Sequence, residues 1–279
     1  MKASAEAAVA HNRQVHNRLG AGYDGNHPEI FNDVEQRRLG AAVSDAVALA
    51  PRSGGRRVRA LDVGCGTGNL TGHLIAAGAT VTAADLSSRF FDVVRARFAA
   101  TDIDGVLELN GRDLRPAPDN AFDLVATYSV LHHVPDYLAL VRDMARVTAP
   151  GGLVMIDHER CVECWTSPSY AAFLREVVIW PARRWWYVLQ PARYWKHIRP
   201  WLEWHRWFNP RWMPEGDLHI WPDDHIEWSR VEAVLVEEGC EVVRREQYLL
   251  FEPRFRRDVW DRWRGMTADM QLLIARKAR

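Results

Sequence analysis

Three glycines and two aspartates give the strongest chemical signal in this sequence. Residues 61–69 read LDVGCGTGN, with glycine at 64, 66 and 68, where a predicted strand meets a predicted helix. Glycines at such a turn let the backbone approach a ligand closely, and the following helix offers free N–H groups. Asp85 lies 23 positions after Asp62, at the expected end of the second strand. A carboxylate there can accept hydrogen bonds from both hydroxyls of a ribose.

The glycine spacing differs from the dinucleotide fingerprint G-x-G-x-x-G, because every second residue from 64 to 68 is glycine. Asp62 stands just before these glycines and could hold an amine. The loop therefore favours a nucleoside that carries a positive charge over a pyrophosphate.

Three histidines are candidates for a general base. His133 follows the fourth predicted strand and His158 follows the fifth, at the sheet edge where open α/β folds bind ligands. His225 belongs to the polar cluster Asp224-His225-x-Glu227, ahead of the last predicted core helix. The alternative interpretations are an ordinary loop or pocket histidine and, for the cluster around His225, acids that favour a helix dipole.

The spacing H-x-x-C-x-x-C of His158, Cys161 and Cys164 suits zinc ligands. No second cysteine pair lies nearby in the sequence, so a closed four-ligand site would need a donor from elsewhere. We therefore predict no metal.

Strands alternate with amphipathic helices from residue 57 onward, which predicts a parallel sheet covered by helices. The predicted strands are 57–63, 79–84, 105–109, 122–127 and 153–156, and the predicted helices are 69–77, 88–98 and 136–147. Pro150, Gly151 and Gly152 are expected to separate the last of these helices from the fifth strand.

The alternation stops after the fifth strand and resumes near Ser229. Ser229 and Glu232 have the spacing of a capping box, and Gly239 is a fitting end for the helix. Residues 241–251 and 270–275 are predicted as two closing strands, joined by the connection 254–265.

Composition excludes several classes of protein. The 36 Lys and Arg balance 36 Asp and Glu, so no overall field attracts nucleic acid or a charged membrane. A hydrophobic content of 48% with 26% charged residues is typical of a folded globular protein. Four scattered cysteines do not make a disulfide framework, and no apolar run reaches the roughly 18 residues that span a bilayer. We expect a cytoplasmic protein.

Tryptophan marks one segment of the chain. Eleven of the 13 tryptophans lie between Trp165 and Trp228, and the centre of this stretch, 180–212, holds seven Lys and Arg against one acid, Glu203. We favour a helical lid whose tryptophans pack on the core. They could also line a large apolar pocket or lie with the arginines at a membrane surface. No recognisable nucleic-acid module accompanies them, so we expect no nucleic-acid partner, and the oligomeric state stays open.

Five ordered motifs between 57 and 157 resemble those of the class I S-adenosylmethionine-dependent methyltransferases, of the type that acts on small molecules. The motifs are LDVGCGTGN, VTAADLS, GRDL, FDLVATYSVLHHVPD and APGGLVMI. The resemblance implies an α/β fold with a Rossmann-like, mostly parallel sheet of seven strands in the order 3-2-1-4-5-7-6. Strand 7 would be antiparallel, and helices would cover both faces.

The resemblance implies S-adenosylmethionine as cofactor and assigns its methionine and ribose ends. Asp62 and the backbone of the glycine loop would hold the methionine end, and Asp85 would bind the ribose. The residues implied in these two places are Asp62, Gly64, Cys65, Gly66, Gly68, Asn69, Asp85 and Leu86.

The resemblance also assigns the adenine and the sulfonium. Asp113 would receive the adenine amino group, and Leu114 would pack on the ring. Tyr128 would border the sulfonium, and Tyr23 would fold over the cofactor from the N-terminal segment.

These expectations divide the chain into four segments. They are an N-terminal helical cap (1–55), the cofactor-binding half of the core (56–159), a Trp/Arg-rich lid insertion that binds the acceptor (160–228) and the C-terminal part of the core (229–279). The predicted function is methyl transfer to a bulky apolar or amphipathic small molecule, with O-methylation favoured and His133, His158 and His225 as base candidates. The alternatives are C-methylation of a prenyl diphosphate, N-methylation of a small metabolite, and a catalytically silent cofactor-binding subunit.

Overall fold

The computed structural model describes residues 5–19, 24–52, 55–177, 221 and 224–279. The centre of the predicted lid, 180–212, and the predicted cofactor residue Tyr23 lie outside the described residues.

The helices are α1 (Ala5–Leu19), α2 (Asp33–Leu49), α3 (Asn69–Ala76), α4 (Ser88–Arg97), α5 (Tyr137–Val147), α6 (Glu163–Thr166), α7 (Pro168–Val177), α8 (Trp228–Glu237) and α9 (Arg257–Trp263). The strands are β1 (Arg59–Val63), β2 (Thr80–Asp85), β3 (Ile103–Glu108), β4 (Phe122–Tyr128), β5 (Thr148–Arg160), β6 (Cys240–Tyr248) and β7 (Met270–Lys277).

Within the described residues the seven strands form one sheet in the order β3-β2-β1-β4-β5-β7-β6. The pairs among β1 to β5 are parallel, whereas β7 runs antiparallel to both β5 and β6. This confirms the predicted fold, strand order and antiparallel strand 7. The chain leaves β1 for β2 on one side and returns to β4 on the other, and such a switch of direction opens a crevice at the carboxyl ends of the strands.

Two apolar layers enclose the sheet, because successive side chains of a strand point to opposite faces. Leu124 and Ala126 of β4 pack with buried residues of α2 and α3, whereas Val125 packs with those of α5 and α8. Helix α2 begins at a sequence-encoded cap, where Asn32 Oδ1 accepts hydrogen bonds from two backbone N–H groups of the first turn. No helix in the described part of the chain is long and apolar enough to cross a bilayer.

The structure corrects some predicted boundaries. The fifth strand is far longer than 153–156, because β5 begins directly after α5 and runs through Gly151 and Gly152, beyond a register shift against β4. Helix α8 begins at Trp228 without a side-chain cap, so the predicted capping box does not form. Glu232 instead pairs with Arg245 of β6. The connection 254–265 contains a helix, α9.

Candidate active site

The glycine turn between β1 and α3 brings the backbone to the end of β2. Gly64 and Gly68 have φ values of +76° and +93°, a region that side chains disfavour. A Cβ at Gly64 would collide with Val130, and one at Gly68 would lie 2.7 Å from the Phe98 ring. The N–H groups of residues 64 and 65 both donate to the carbonyl of Ala84, at 2.8 and 2.9 Å, which fixes the turn against β2.

The Asp85 carboxylate lies at the end of β2, beside this turn. Its Oδ2 accepts a hydrogen bond from the N–H of Gly66 at 2.9 Å, and its Oδ1 accepts one from the N–H of Ser87 at 2.8 Å. Burial raises the pKa of Asp85, and the two backbone hydrogen bonds act in the opposite direction. Each carboxylate oxygen has a second lone pair, so Asp85 can still accept hydrogen bonds from a ligand.

A cavity of about 1130 Å³, including space open to solvent, lies along the carboxyl ends of β1, β2 and β4. Eight of the predicted cofactor residues line it, namely Gly64, Cys65, Gly66, Asn69, Asp85, Leu86, Asp113 and Tyr128. Most of the other lining side chains are apolar, such as Ile30, Phe31, Phe90, Leu109 and Leu140. The cavity thus combines a polar glycine turn with apolar walls, which suits a ligand with both kinds of surface.

Three predicted cofactor residues do not line the cavity. Leu114 is fully buried in the core layer on the α5 side, and its N–H donates to Asp143 at 2.6 Å. Leu86 and Leu109 line the cavity instead. Gly68 supplies the N-cap of α3 behind the turn. Asp62 is 1% exposed and lies beneath the turn.

Within the described residues, the buried Asp62 carboxylate forms a side-chain hydrogen bond with one residue, Thr71. Its Oδ2 accepts a hydrogen bond from Thr71 Oγ1 at 2.6 Å, whereas Oδ1 is buried with no hydrogen-bond partner there. Burial raises the pKa of Asp62 to about 7. Oδ1 is therefore the atom of Asp62 that has capacity left for a donor.

Asp113 lies in the loop after β3. Its pKa falls to about 2, chiefly through the side-chain hydrogen bond from Arg115, and Asn110 donates to the same carboxylate at 2.8 Å. An ionised Asp113 on the cavity wall can accept a hydrogen bond from an exocyclic amine.

Helix α1, part of the predicted N-terminal cap, covers part of the cavity, and the sequence interpretation named none of its three lining residues. Val9, Asn12 and His16 line the cavity from this helix. The helix is anchored by Arg13, whose Nη2 donates to the carbonyl of Leu109 at 3.2 Å. These three residues follow helical spacing, i, i+3 and i+7, which was the available signal.

A buried ion-pair network joins α2 to the end of β5. Arg38 Nε donates to both oxygens of Glu35, at 3.1 and 3.0 Å, and Nη2 donates to Glu35 Oε1 at 2.6 Å and to Asp157 Oδ2 at 2.8 Å. The side chains of Glu35 and Asp157 are 2% and 0% exposed. One guanidinium therefore holds two carboxylates that water does not reach.

Two aromatic residues connect this network to the cavity wall. The cavity residue Tyr128 donates its hydroxyl to Glu35 Oε1 at 2.9 Å, and its ring stacks on His158 with 4.5 Å between the centroids. His158 Nδ1 lies 3.4 Å from Glu35 Oε1 and 3.3 Å from the hydroxyl of Tyr248. Burial raises the pKa of Glu35, but the hydrogen bonds from His158 and Arg38 outweigh it and bring the pKa to about 2. The network thus holds an ionised Glu35 behind Tyr128.

The three candidate histidines occupy different places, so the structure does not bring them together. His133 lines the cavity. His158 belongs to the buried network behind Tyr128 and does not appear in the cavity wall. His225 stacks on Trp165 with 4.4 Å between the ring centroids, also outside the wall. Of the three, only His133 is placed to touch a ligand in this cavity.

The H-x-x-C-x-x-C segment does not converge on one point. His158 turns its Nδ1 to Glu35 and Tyr248, and Cys164 accepts a hydrogen bond from Arg160 Nη1 at 3.3 Å. Among the described residues, no group of three or more His, Cys, Asp or Glu is arranged to hold a metal ion.

Comparisons with known proteins show similarity to methyltransferases. A family model described as a methyltransferase domain matches residues 61–156. A demethylmenaquinone methyltransferase of Tropheryma whipplei is 30% identical over 168 residues, which cover 60% of this chain and 66% of that protein. A ubiquinone biosynthesis O-methyltransferase of Xanthomonas campestris is 35% identical over 100 residues, which cover 36% of this chain and 42% of that protein. The chain thus spans less than two thirds of the curated relatives' length.

A solved structure shows the same fold. An S-adenosylmethionine-dependent methyltransferase from Mesorhizobium loti aligns with a TM-score of 0.54 and 21% identity, covering 86% of this chain and 100% of that one. At this identity the likeness establishes the fold alone.

The cavity has the groups that S-adenosylmethionine requires. Asp85 can accept from ribose hydroxyls, the glycine turn lets the ligand approach the backbone, and the orphaned Oδ1 of Asp62 leaves a buried acceptor beneath that turn. Apolar side chains and Asp113 suit the adenine ring and its amino group. The match over residues 61–156, together with the sheet order and the glycine turn, identifies a methyltransferase domain with the class I fold, and its residues suit S-adenosylmethionine as cofactor.

Proposed function

We propose that this protein transfers the methyl group of S-adenosylmethionine to a hydroxyl of a bulky, amphipathic small molecule. The observation that carries the proposal is a single cavity whose wall joins the glycine turn and Asp85 to His133 and to apolar side chains such as Ile30 and Phe31. The glycine turn and Asp85 suit the cofactor. His133 and the apolar side chains suit an acceptor that has an apolar body and an ionisable hydroxyl.

The names of two relatives support a proposal about the class of acceptor. Their names refer to demethylmenaquinone and to an O-methylation step of ubiquinone biosynthesis. We propose a hydroxylated aromatic ring with an apolar substituent as the acceptor. The apolar lining residues Phe31, Val130, Val134 and Leu140 support this choice, because they bury ring surface without requiring polar partners.

The cofactor supplies an electrophilic methyl group on its sulfonium. The protein's own task is to hold the acceptor in line with that group, to exclude water and to take the hydroxyl proton. His133 lines the cavity that would hold the acceptor, and imidazole groups in general titrate near neutral pH, so a ring nitrogen of His133 takes the proton in this proposal. Tyr128 presents its ring to the cavity and is held by Glu35 from behind.

The test is formation of S-adenosylhomocysteine with two probe acceptors, 1,4-naphthohydroquinone and catechol, under reducing conditions. We expect turnover by the natural protein, and His133→Asn should lower kcat by about 10² to 10⁴-fold at a pH where the hydroxyl is un-ionised. The loss should shrink at a pH where the acceptor ionises by itself, because no base is then needed.

A matched control is His73→Asn on α3, since His73 bonds to Gln36 and does not line the cavity. That variant should keep the turnover of the natural protein. Binding of S-adenosylhomocysteine without turnover of any probe would contradict the proposed activity on this acceptor class.

A further inference from the structure

Strand β5 contains a bulge next to the cavity. Its pairing with β7 goes from Ile156↔Leu273 to Glu159↔Gln271, so three steps along β5 match two along β7. His158 has φ +61°, the left-handed conformation that non-glycine residues rarely adopt. One extra residue is therefore inserted at positions 157–158, and such bulges redirect the side chains that follow them.

The bulge places Asp157 and His158 on one face of the sheet and Glu159 on the other. Without it, the alternation of a strand would turn residue 159 to the same face as 155 and 157. Met155 packs in the α2 layer, and Asp157 and His158 both meet Glu35 or Arg38 of α2. Glu159 instead faces the turn that follows β4, on the side of α5.

The Glu159 carboxylate is fully buried, and its partners all lie in that turn. Oε1 accepts hydrogen bonds from the N–H of Val130 at 2.8 Å and of Leu131 at 2.6 Å. Oε2 lies 2.9 Å from Nδ1 of His132. We assign Glu159 as the acceptor in all three contacts, which places a proton on Nδ1 of His132. Three hydrogen bonds accepted by one side chain fix the turn.

The same turn forms part of the cavity wall. Ser129, Val130, His133 and Val134 line the cavity, and Val130 occupies the space that a Cβ of Gly64 in the glycine turn would take. Ser129 has φ +60°, so the turn is held in a conformation that carries strain. The His132 and His133 rings lie 4.1 Å apart at their centroids, which couples the orientation of His133 to that of His132.

We infer that Glu159 is a positioning residue of this active site, which through His132 and the turn 129–134 holds His133 against the acceptor. The inference rests on the proposed methyl transfer and adds to it a buried group that neither the glycine motif nor the histidine candidates pointed to. The bulge at His158 is the structural device that makes Glu159 available for this role, because it turns the side chain across the sheet.

Glu159→Gln keeps the size and shape of the side chain but changes its hydrogen-bonding pattern. The variant therefore tests the positioning role separately from the packing of the side chain. The two backbone N–H groups can only donate, so the amide oxygen must face them and the amide NH₂ must face Nδ1 of His132. His132 should then change from the Nδ1–H to the Nε2–H tautomer. Nitrogen-15 NMR of protein with labelled histidines measures the tautomer of His132. The signal of His132 is assigned as the one that is lost in His132→Gln.

The second readout is kinetic, with the probe acceptors 1,4-naphthohydroquinone and catechol. We expect kcat to fall about 10- to 100-fold in Glu159→Gln, as small misplacements of reacting groups do. The affinity for S-adenosylhomocysteine should stay within about twofold of that of the natural protein, which a general loosening of the fold would not allow. Glu163→Gln is the matched control, because its carboxylate accepts a hydrogen bond from Gln247 at an exposed site. That control should change neither quantity.

A switched tautomer with unchanged kcat would overturn the inference, and so would a parallel loss of cofactor affinity and kcat. If Glu159→Gln does not fold, His132→Gln carries the same kinetic test, because it leaves both backbone hydrogen bonds of the carboxylate in place. Failure of the natural protein to turn over either probe would refute the proposed activity itself, whereas activity that survives in both variants refutes the role of Glu159 alone.

Discussion

Replacing Arg38 by methionine tests the buried network that joins α2 to β5. The side chain keeps most of its length but loses the guanidinium, so Glu35 and Asp157 remain buried and face each other without a cation. Both carboxylates are almost completely shielded from water. The charge they carry is then uncompensated in a medium of low polarity.

Two estimates give the magnitude. Breaking a buried ion pair by removing one partner costs about 3–5 kcal/mol. The pKa of Glu35 is lowered from 4.5 to about 2, and at about 1.36 kcal/mol for each pH unit this corresponds to about 3 kcal/mol of stability at neutral pH, to which His158 and Arg38 both contribute. We therefore expect Arg38→Met to lower the free energy of unfolding by about 3–5 kcal/mol at pH 7.

The loss should depend on pH in one direction. Because the pKa of Glu35 is lowered in the folded protein, its stabilising contribution is complete above pH 4.5 and is lost as the pH falls toward 2. Burial raises the pKa of Asp157, and Arg38 opposes that rise, so Asp157 alone acts against stability at neutral pH. Without Arg38 both carboxyls take up protons more readily in the folded state. The difference between natural and variant protein should thus shrink between pH 7 and pH 4.

Urea unfolding followed by circular dichroism at pH 7 and at pH 4 measures both effects. Arg37→Met is the matched control, since Arg37 pairs with Asp33 at the surface with both side chains more than two thirds exposed. That variant should lose less than about 1 kcal/mol. A loss below 1 kcal/mol in Arg38→Met, or an equal loss at both pH values, would refute the reasoning. Should Arg38→Met not fold, Arg38→Lys should show a smaller loss at pH 7, because the charge stays but the paired hydrogen bonds do not.

Two further predictions concern the cofactor cavity. Gly111→Ala forces a left-handed residue to carry a Cβ that would lie 2.5 Å from Val9, so it should cost about 1–2 kcal/mol in urea unfolding and weaken binding of S-adenosylhomocysteine by displacing α1. Unchanged affinity would show that α1 does not cover the ligand. Asp85→Asn should weaken the same binding in calorimetry by about 10- to 100-fold, since a charge-assisted hydrogen bond contributes about 1.5–3 kcal/mol. An unaltered dissociation constant would exclude Asp85 from the ribose site.

The sheet and the glycine turn could be predicted because their signals are local. The alternation of strands and helices, the glycines from 64 to 68 and the acid at the end of β2 are all readable in short windows of sequence. The resemblance supplied the strand order, which the structure confirms. In such a fold the carboxyl ends of the parallel strands all lie at one edge of the sheet, so residues that follow different strands are expected to meet there.

Features that depend on distant pairing were missed. Glu35 and Asp157 are joined by Arg38 across 122 positions of sequence, and nothing near any of them predicts the contact. The bulge at His158 arises from the pairing of β5 with β7. No nearby sequence pattern therefore predicts that the Glu159 side chain points to the opposite face from Asp157 and His158. The sequence predicts a break at residues 151 and 152, but β5 runs through both, and a Cβ at Gly152 would lie 2.8 Å from the carbonyl oxygen of Ala149, so glycine there also serves close packing.

The burial of individual side chains was also beyond the pattern. Leu114 packs in the core rather than in the cavity, and the cavity uses Leu109 in that region. Asp62 is buried beneath the glycine turn, so its distance from a bound ligand depends on how closely the ligand approaches the backbone of that turn. Whether such a side chain lines the cavity or packs in the core behind it depends on the tertiary packing, which the sequence pattern does not define.

A crystal structure of the complex with S-adenosylhomocysteine tests the central claim most directly. We expect the nucleoside in the cavity beside the glycine turn, with its ribose hydroxyls within hydrogen-bond distance of the Asp85 carboxylate and with His133 on the wall that faces the sulfur atom. A ligand bound elsewhere, or a ribose that does not reach Asp85, would contradict the account.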